Sequence, residues 1–80
     1  MKKRIAILGS TGSIGTQALE VISANPDRFE ITVLTAANNV DLLIEQALKF
    51  KPDTVVIANK KHYNELNNSL FSKGIKVFRS

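Results

Sequence analysis

The stretch Arg4-Ile5-Ala6-Ile7-Leu8-Gly9-Ser10-Thr11-Gly12-Ser13-Ile14-Gly15 constrains this chain more than any other. A short apolar run leads into glycines spaced G-x-x-G-x-x-G, and these lead into residues suited to a helix. The pattern therefore reads as a strand, a tight turn and a helix start. Gly9 can turn the chain off the strand with φ above zero at little cost. Gly12 keeps the backbone open to an approaching phosphate, and Gly15 lets the first helical turn pack closely on the strand. The free N–H groups at the helix start, with the positive end of the helix dipole, then hold an anion. Thr11 and Ser13 add hydroxyl donors at the same place. The competing reading is a strand–helix turn that binds nothing; the flanking strand and helix favour the phosphate site.

The rest of the chain repeats strand and helix in turn. Strand one covers residues 4–8, an apolar run without alternation, as expected for a strand buried on both faces. Helix one starts near Ser13 with Ile14, Ala18, Val21 and Ile22 on its apolar face, and Asn25-Pro26-Asp27 ends it. Strand two is Glu30 to Thr35. The link Ala36-Ala37-Asn38-Asn39 leads into helix two, with Asn39 as N-cap and Asp41 in its first turn. Val40, Leu43, Ile44, Ala47 and Leu48 form the apolar face of helix two, and Lys49, Lys51 and Pro52 mark its end. Strand three is Thr54 to Ala58. Asn59 caps helix three, which turns Tyr63, Leu66 and Leu70 inward, and Gly74 closes it. A fourth strand runs from Ile75 to Arg79.

This alternation predicts an α/β fold: a Rossmann-like parallel sheet with right-handed βαβ crossovers, about four strands and three helices. Crossovers that all step the same way place the strands in the order 4-3-2-1 and every helix on one face; the alternative sets strand four beside strand one, in the order 3-2-1-4, with helix three on the opposite face. In the first order the other face is bare and strand one has an open edge, so the fold is incomplete, a part of a larger domain.

Composition excludes several classes of function. The absence of cysteine rules out disulfides and thiolate chemistry. The basic start Met1-Lys2-Lys3-Arg4 precedes an apolar run too short for a signal peptide or a membrane span, which gives the expectation of a cytoplasmic chain without a membrane partner. The net charge of +4 comes from short clusters, Lys2 to Arg4, Lys60 and Lys61, and Lys73, Lys76 and Arg79. No aromatic residues interleave with them as a stacking platform for bases would need, so no nucleic-acid partner is expected. Asp41 and Glu45 share a helix face but lack metal-ligand spacing. The single histidine, His62, lies early in helix three as a solvent-facing residue, and no serine has a general base in sight.

Two details of the loops bear on the ligand. Thr11 stands where G-x-G-x-x-G has its second glycine, a variant common among NADP-dependent reductases. The end of strand two, Thr35-Ala36-Ala37-Asn38, lacks the acid that binds the ribose 2′-hydroxyl in NAD sites. A carboxylate there would repel a 2′-phosphate.

Taken together, Gly9 to Gly15, Asn25-Pro26 before Phe29, Ala36, Asn39-Val40, and Glu45-Gln46 with Phe50 and Pro52 resemble the N-terminus of the 1-deoxy-D-xylulose 5-phosphate reductoisomerase family. The resemblance runs from residue 4 to about residue 58 and is weaker beyond. It implies an NADPH-dependent enzyme that rearranges and reduces 1-deoxy-D-xylulose 5-phosphate to 2-C-methyl-D-erythritol 4-phosphate in isoprenoid precursor biosynthesis. It also implies a Mg²⁺ or Mn²⁺ ion that chelates the sugar-phosphate substrate, and a homodimer at full length. Carried over residue by residue, it assigns the cofactor pyrophosphate to Thr11, Gly12, Ser13 and Ile14. The adenine ribose and its 2′-phosphate fall to Ala37, Asn38 and Asn39, with Gly9 and Gly15 supporting the loop. Two positions depart from the family's usual pattern, which has glycine at position 37 and lysine at position 38. Ala37 requires a negative φ there. Asn38 offers a neutral donor in place of a cation.

On this reading residues 1–80 are the N-terminal part of an NADPH-binding Rossmann-like domain, with the catalytic and C-terminal domains, the metal ligands and the substrate-phosphate residues absent from the chain. Alone, the chain would be inactive. Two other readings share parts of the evidence: the NADP-binding half-domain of a semialdehyde dehydrogenase or an extended short-chain reductase, and a non-enzymatic phosphate- or nucleic-acid-binding module.

Overall fold

The computed structural model describes residues 2–80. Four strands form one parallel sheet: β1 (Lys3–Ile7), β2 (Phe29–Ala36), β3 (Thr54–Ile57) and β4 (Lys76–Arg79). They lie in the order β1-β2-β3-β4, the order expected from crossovers stepping one way. Helices α1 (Ser13–Ser23), α2 (Val40–Phe50) and α3 (Tyr63–Leu70) connect them. Short 3₁₀ turns at Lys60–His62 and Phe71–Lys73 flank α3, so His62 belongs to the lead-in turn and not to the helix. Asn59 caps that turn, its side chain accepting from the Lys61 N–H. Gly74, at φ 74°, ends the second turn, and Ile75 is buried ahead of β4.

One core joins the strands to all three helices. Leu19 and Ile22 of α1, Leu43 and Ala47 of α2, and Leu66 and Leu70 of α3 pack with Ile7, Leu34, Val55, Ile57 and Val77. Between Ile5 and Ala6 the β1–β2 register shifts by one residue: Ile5 pairs with Ile31, but Ala6 pairs with Val33. A one-residue shift exchanges the two faces of a strand. Here it lets Ile31 and Leu34 both reach the core although they are three residues apart.

The opposite face carries Ala6, Val33, Thr35, Val56 and Phe78, none of them fully buried, and Phe78 remains 53% exposed. No helix packs there among the described residues. Apolar strands of a parallel sheet are normally covered on both sides. The half-covered sheet is the incomplete fold that the strand pattern implied.

Three sequence expectations need correction. Helix α1 does not turn Ile14 and Val21 inward; they are 83% and 60% exposed. Its buried residues are Gly15, Leu19 and Ile22. The reason is Gly15: a Cβ there would lie 2.2 Å from the Gly9 carbonyl oxygen and 2.7 Å from Ser10 Cα. The helix backbone approaches the loop so closely at this one position that it fixes which stripe faces in. On α2, Leu48 is exposed and the polar Gln46 is buried instead. Strand limits also move by a residue at most ends; Leu8 and Ala58 fall outside the ladder, in the turns after β1 and β3.

Candidate functional site

The amino ends of α1 and α2 open at the carboxyl edge of the sheet, where open α/β folds place their ligands. The loop after β1 is built from backbone. Gly9 takes φ 70°, the left-handed conformation that glycine adopts freely. Its N–H donates to Thr35 Oγ1 at 2.9 Å, and the Ser10 N–H donates to the Thr35 carbonyl at 2.8 Å. Thr35 thus ties the glycine loop to the end of β2.

A second tie comes from α2. Ser10, fully buried, donates from Oγ to Gln46 Oε1 at 2.7 Å, and Gln46 Nε2 donates back to the Ser10 carbonyl at 2.8 Å. Among the described residues no buried side-chain nitrogen or oxygen is left without a hydrogen-bond partner. The reciprocal pair explains why a glutamine occupies the inward face of α2. Neither Ser10, Thr35 nor Gln46 stood out in the sequence as part of the site. The one visible signal was a polar residue on the inward stripe between Leu43 and Ala47.

Gly12 caps α1 in an extended conformation, φ −82° and ψ 175°, and no side chain bonds to the helix start. The first N–H groups of a helix lack partners within it, so those of Ser13 and Ile14, both exposed, remain available. The first turn holds no acidic residue. A Cβ on Gly12 would meet only the Gly9 oxygen, at an ordinary 3.5 Å. Neither the fold nor the backbone angle therefore demands glycine at position 12, in contrast to Gly15. What the missing side chain leaves is an open approach to the N–H groups of Ser13 and Ile14, a cradle that fits a phosphate. Thr11 is half-buried beside it, while Ser13 and Ile14 are exposed.

Ala37, Asn38 and Asn39 form an exposed loop at the end of β2. Ala37 does not have a positive φ; Lys51, at the end of α2, is the one non-glycine among the described residues that does. Asn39 Oδ1 accepts from the Leu42 N–H at 3.2 Å and caps α2 as expected. Asn38 Oδ1 accepts from Asn59 Nδ2 at 2.8 Å. Between the two loops lies an open cavity of 420 Å³, lined by Gly9, Thr35, Ala36, Ala37, Val56, Ala58 and Ser80. Its walls are small side chains, leaving room for a flat group. A larger hollow of 610 Å³ lies at the opposite edge, by Pro52, Asp53 and Gly74, where the chain enters β3 and β4. That is the amino edge of the strands, away from both loops.

The structure therefore brings the glycine loop and residues 37–39 to one edge, joined through Thr35. It brings no metal donors there: among the described residues no group of three or more His, Cys, Asp or Glu side chains could hold a metal ion.

Comparison with known proteins agrees with this arrangement. The chain is 60% identical over 78 residues to the 1-deoxy-D-xylulose 5-phosphate reductoisomerase of Phocaeicola vulgatus; the match covers 98% of this chain and 20% of the relative. The chain thus spans about one fifth of the length of such relatives. The reductoisomerase of Zymomonas mobilis, solved in complex with NADPH, superposes with a TM-score of 0.95 at 32% identity, over 100% of this chain and 21% of that one. A DOX-P reductoisomerase in complex with NADPH, fosmidomycin and magnesium gives 0.91 at 30% identity, over 98% and 19%. The family's sequence model, 1-deoxy-D-xylulose 5-phosphate reductoisomerase, matches residues 5–79, so the likeness extends past residue 58. With its strand order, its glycine loop and nearly its whole length accounted for, the chain belongs to the 1-deoxy-D-xylulose 5-phosphate reductoisomerase family.

Proposed function

We propose that residues 1–80 form the pyrophosphate- and adenosine-binding part of an NADPH site in an enzyme that rearranges and reduces 1-deoxy-D-xylulose 5-phosphate to 2-C-methyl-D-erythritol 4-phosphate. The carrying observation is the start of α1, where an uncapped helix meets a glycine that the fold itself does not require. In this reading the backbone at Gly12, Ser13 and Ile14 holds the pyrophosphate, with the Thr11 and Ser13 hydroxyls beside it and Gly9 and Gly15 supporting the loop. Ala37, Asn38 and Asn39 receive the adenosine ribose and its 2′-phosphate, and the cavity beside Ala36 and Ala58 takes the adenine ring. When bound, NADPH supplies the hydride of the reduction; these residues orient it and do not touch the reacting carbon. Family membership favours this over a semialdehyde dehydrogenase or a short-chain reductase.

The bare sheet face and the fivefold greater length of the relatives support a division of labour. This segment is the first part of a larger dinucleotide-binding domain, and the catalytic and C-terminal domains lie outside it. Mg²⁺ or Mn²⁺, which the family resemblance implies, finds no donor set among residues 2–80. The same resemblance supports a homodimeric, cytoplasmic enzyme. No helix among the described residues is long and apolar enough to cross a membrane. The scattered basic pairs support small phosphorylated ligands in preference to nucleic acid.

The test is Gly12→Val in a full-length reductoisomerase carrying residues 1–80 as its N-terminal segment. The added side chain occupies the phosphate's approach, so NADPH affinity measured by fluorescence titration should be lost. Unchanged affinity would remove the pyrophosphate from this loop.

A further inference from the structure

The inference here rests on the NADPH reading. A 2′-phosphate brings charge that an NAD site never meets, and NADP sites answer it with a nearby cation. The loop after β2, residues 37–39, reads Ala-Asn-Asn and contains none. The structure joins this loop, through Asn59, to a neighbouring turn that carries two cations. Pairing between β2 and β3 continues past the strand ends, with the Ala58 N–H on the Ala36 carbonyl at 2.9 Å and the Asn59 N–H on the Ala37 carbonyl at 3.0 Å. Asn59 then bonds in two directions. Its Nδ2 donates to Asn38 Oδ1 at 2.8 Å, and its Oδ1 accepts from the Lys61 N–H at 3.1 Å. The first bond occupies the Asn38 oxygen and leaves the Asn38 amide hydrogens as donors. The second holds Lys60 and Lys61 in a tight turn directly after the contact. Both lysines are exposed. Among the described residues the only ion pairs are those of Arg4 with Glu30 and Asp53, so neither lysine is neutralised by a carboxylate.

We propose that the turn after β3 is the 2′-phosphate recognition element of this chain. Lys60 and Lys61 supply the positive charge, Asn38 donates its amide, and Asn59 is the positioning residue that joins them. Specificity for NADP is thereby moved from the loop after β2 to its neighbour.

The experiment compares Lys60→Gln/Lys61→Gln with the unaltered full-length reductoisomerase carrying this segment, by titration with NADPH and with NADH. Removing two charge-assisted contacts should weaken NADPH by about tenfold or more, while NADH stays within about twofold because it lacks the phosphate. Salt should weaken NADPH binding less steeply in the variant. Lys60→Arg/Lys61→Arg should retain the preference. An unchanged NADPH-to-NADH ratio overturns the proposal, as does an equal loss of both cofactors. Failure of the unaltered enzyme to prefer NADPH would instead overturn the reading on which the proposal rests.

Discussion

Two helices begin at the same edge of the sheet, α1 at Ser13 and α2 at Val40, and their amino ends are finished in opposite ways. The start of α2 is closed: Asn39 accepts from the Leu42 N–H, and Asp41 meets the helix dipole in the first turn. The start of α1 is open: Gly12 offers no side-chain acceptor, and no acid lies in the first turn. A glycine at the N-cap gives up about 0.3 kcal/mol that Ser, Asp or Asn would supply. In the proposed reading the uncapped end of α1 is the one that takes the cofactor pyrophosphate. The contrast also separates two kinds of glycine within the loop. Gly15 is imposed by packing, whereas Gly12 is free of the fold and answers to what approaches from outside.

The largest expected effect tests that separation. Gly15→Ala should destabilise the protein by about 3 kcal/mol, because the new methyl meets backbone atoms that cannot move aside. Urea unfolding measures it, and a loss below that of an ordinary surface change would mean that packing does not dictate this glycine. Next comes the clamp that holds the open loop in shape. Gln46→Leu leaves the Ser10 hydroxyl and carbonyl buried without partners and should cost about 2 kcal/mol. Since Gln46 lies beneath the loop and away from its outer face, dinucleotide affinity should fall with stability. Unchanged stability would show that the Ser10–Gln46 pair contributes nothing net.

These cases also show what the sequence made legible. Strand, turn and helix could be read around Gly9 because every part of that signal is local. The strand order could be read because the crossovers leave one arrangement when all step the same way. The inward face of α1 could not. Ile22 is buried as expected, but Ile14 and Val21 are exposed and Leu19 takes their place beside Gly15, which contributes no apolar signal. Nor could the partners of Ser10 and Asn38 be read. Gln46 and Asn59 lie 36 and 21 residues away from them in the chain, and periodicity carries no information about which polar groups meet across elements. The glycine loop and residues 37–39 were visible; Ser10, Thr35 and Gln46, whose hydrogen bonds hold the glycine loop in place, were not.

A smaller effect should come from the closed helix. Asn39→Ala removes the cap of α2 and should cost about 1 kcal/mol. Its companion at the other helix is Gly12→Ala, where there is no side-chain cap to lose. If the two substitutions cost the same in urea unfolding, the difference between the helix starts is not energetic.

The smallest change is the sharpest, because it should move stability and binding in opposite directions. Ser13→Asp gives α1 the first-turn acid that α2 already has. A carboxylate in the first turn interacts favourably with the helix dipole, by about 0.5 kcal/mol at an exposed position, and Ser13 is exposed. The protein should therefore become slightly more stable. The same charge sits beside the N–H groups assigned to the cofactor pyrophosphate, so the affinity for NADPH should fall and should recover in part as salt screens the repulsion. A packing or folding defect would lower both quantities together. If Ser13→Asp raises stability and leaves NADPH affinity untouched, the open start of α1 is not where the pyrophosphate binds.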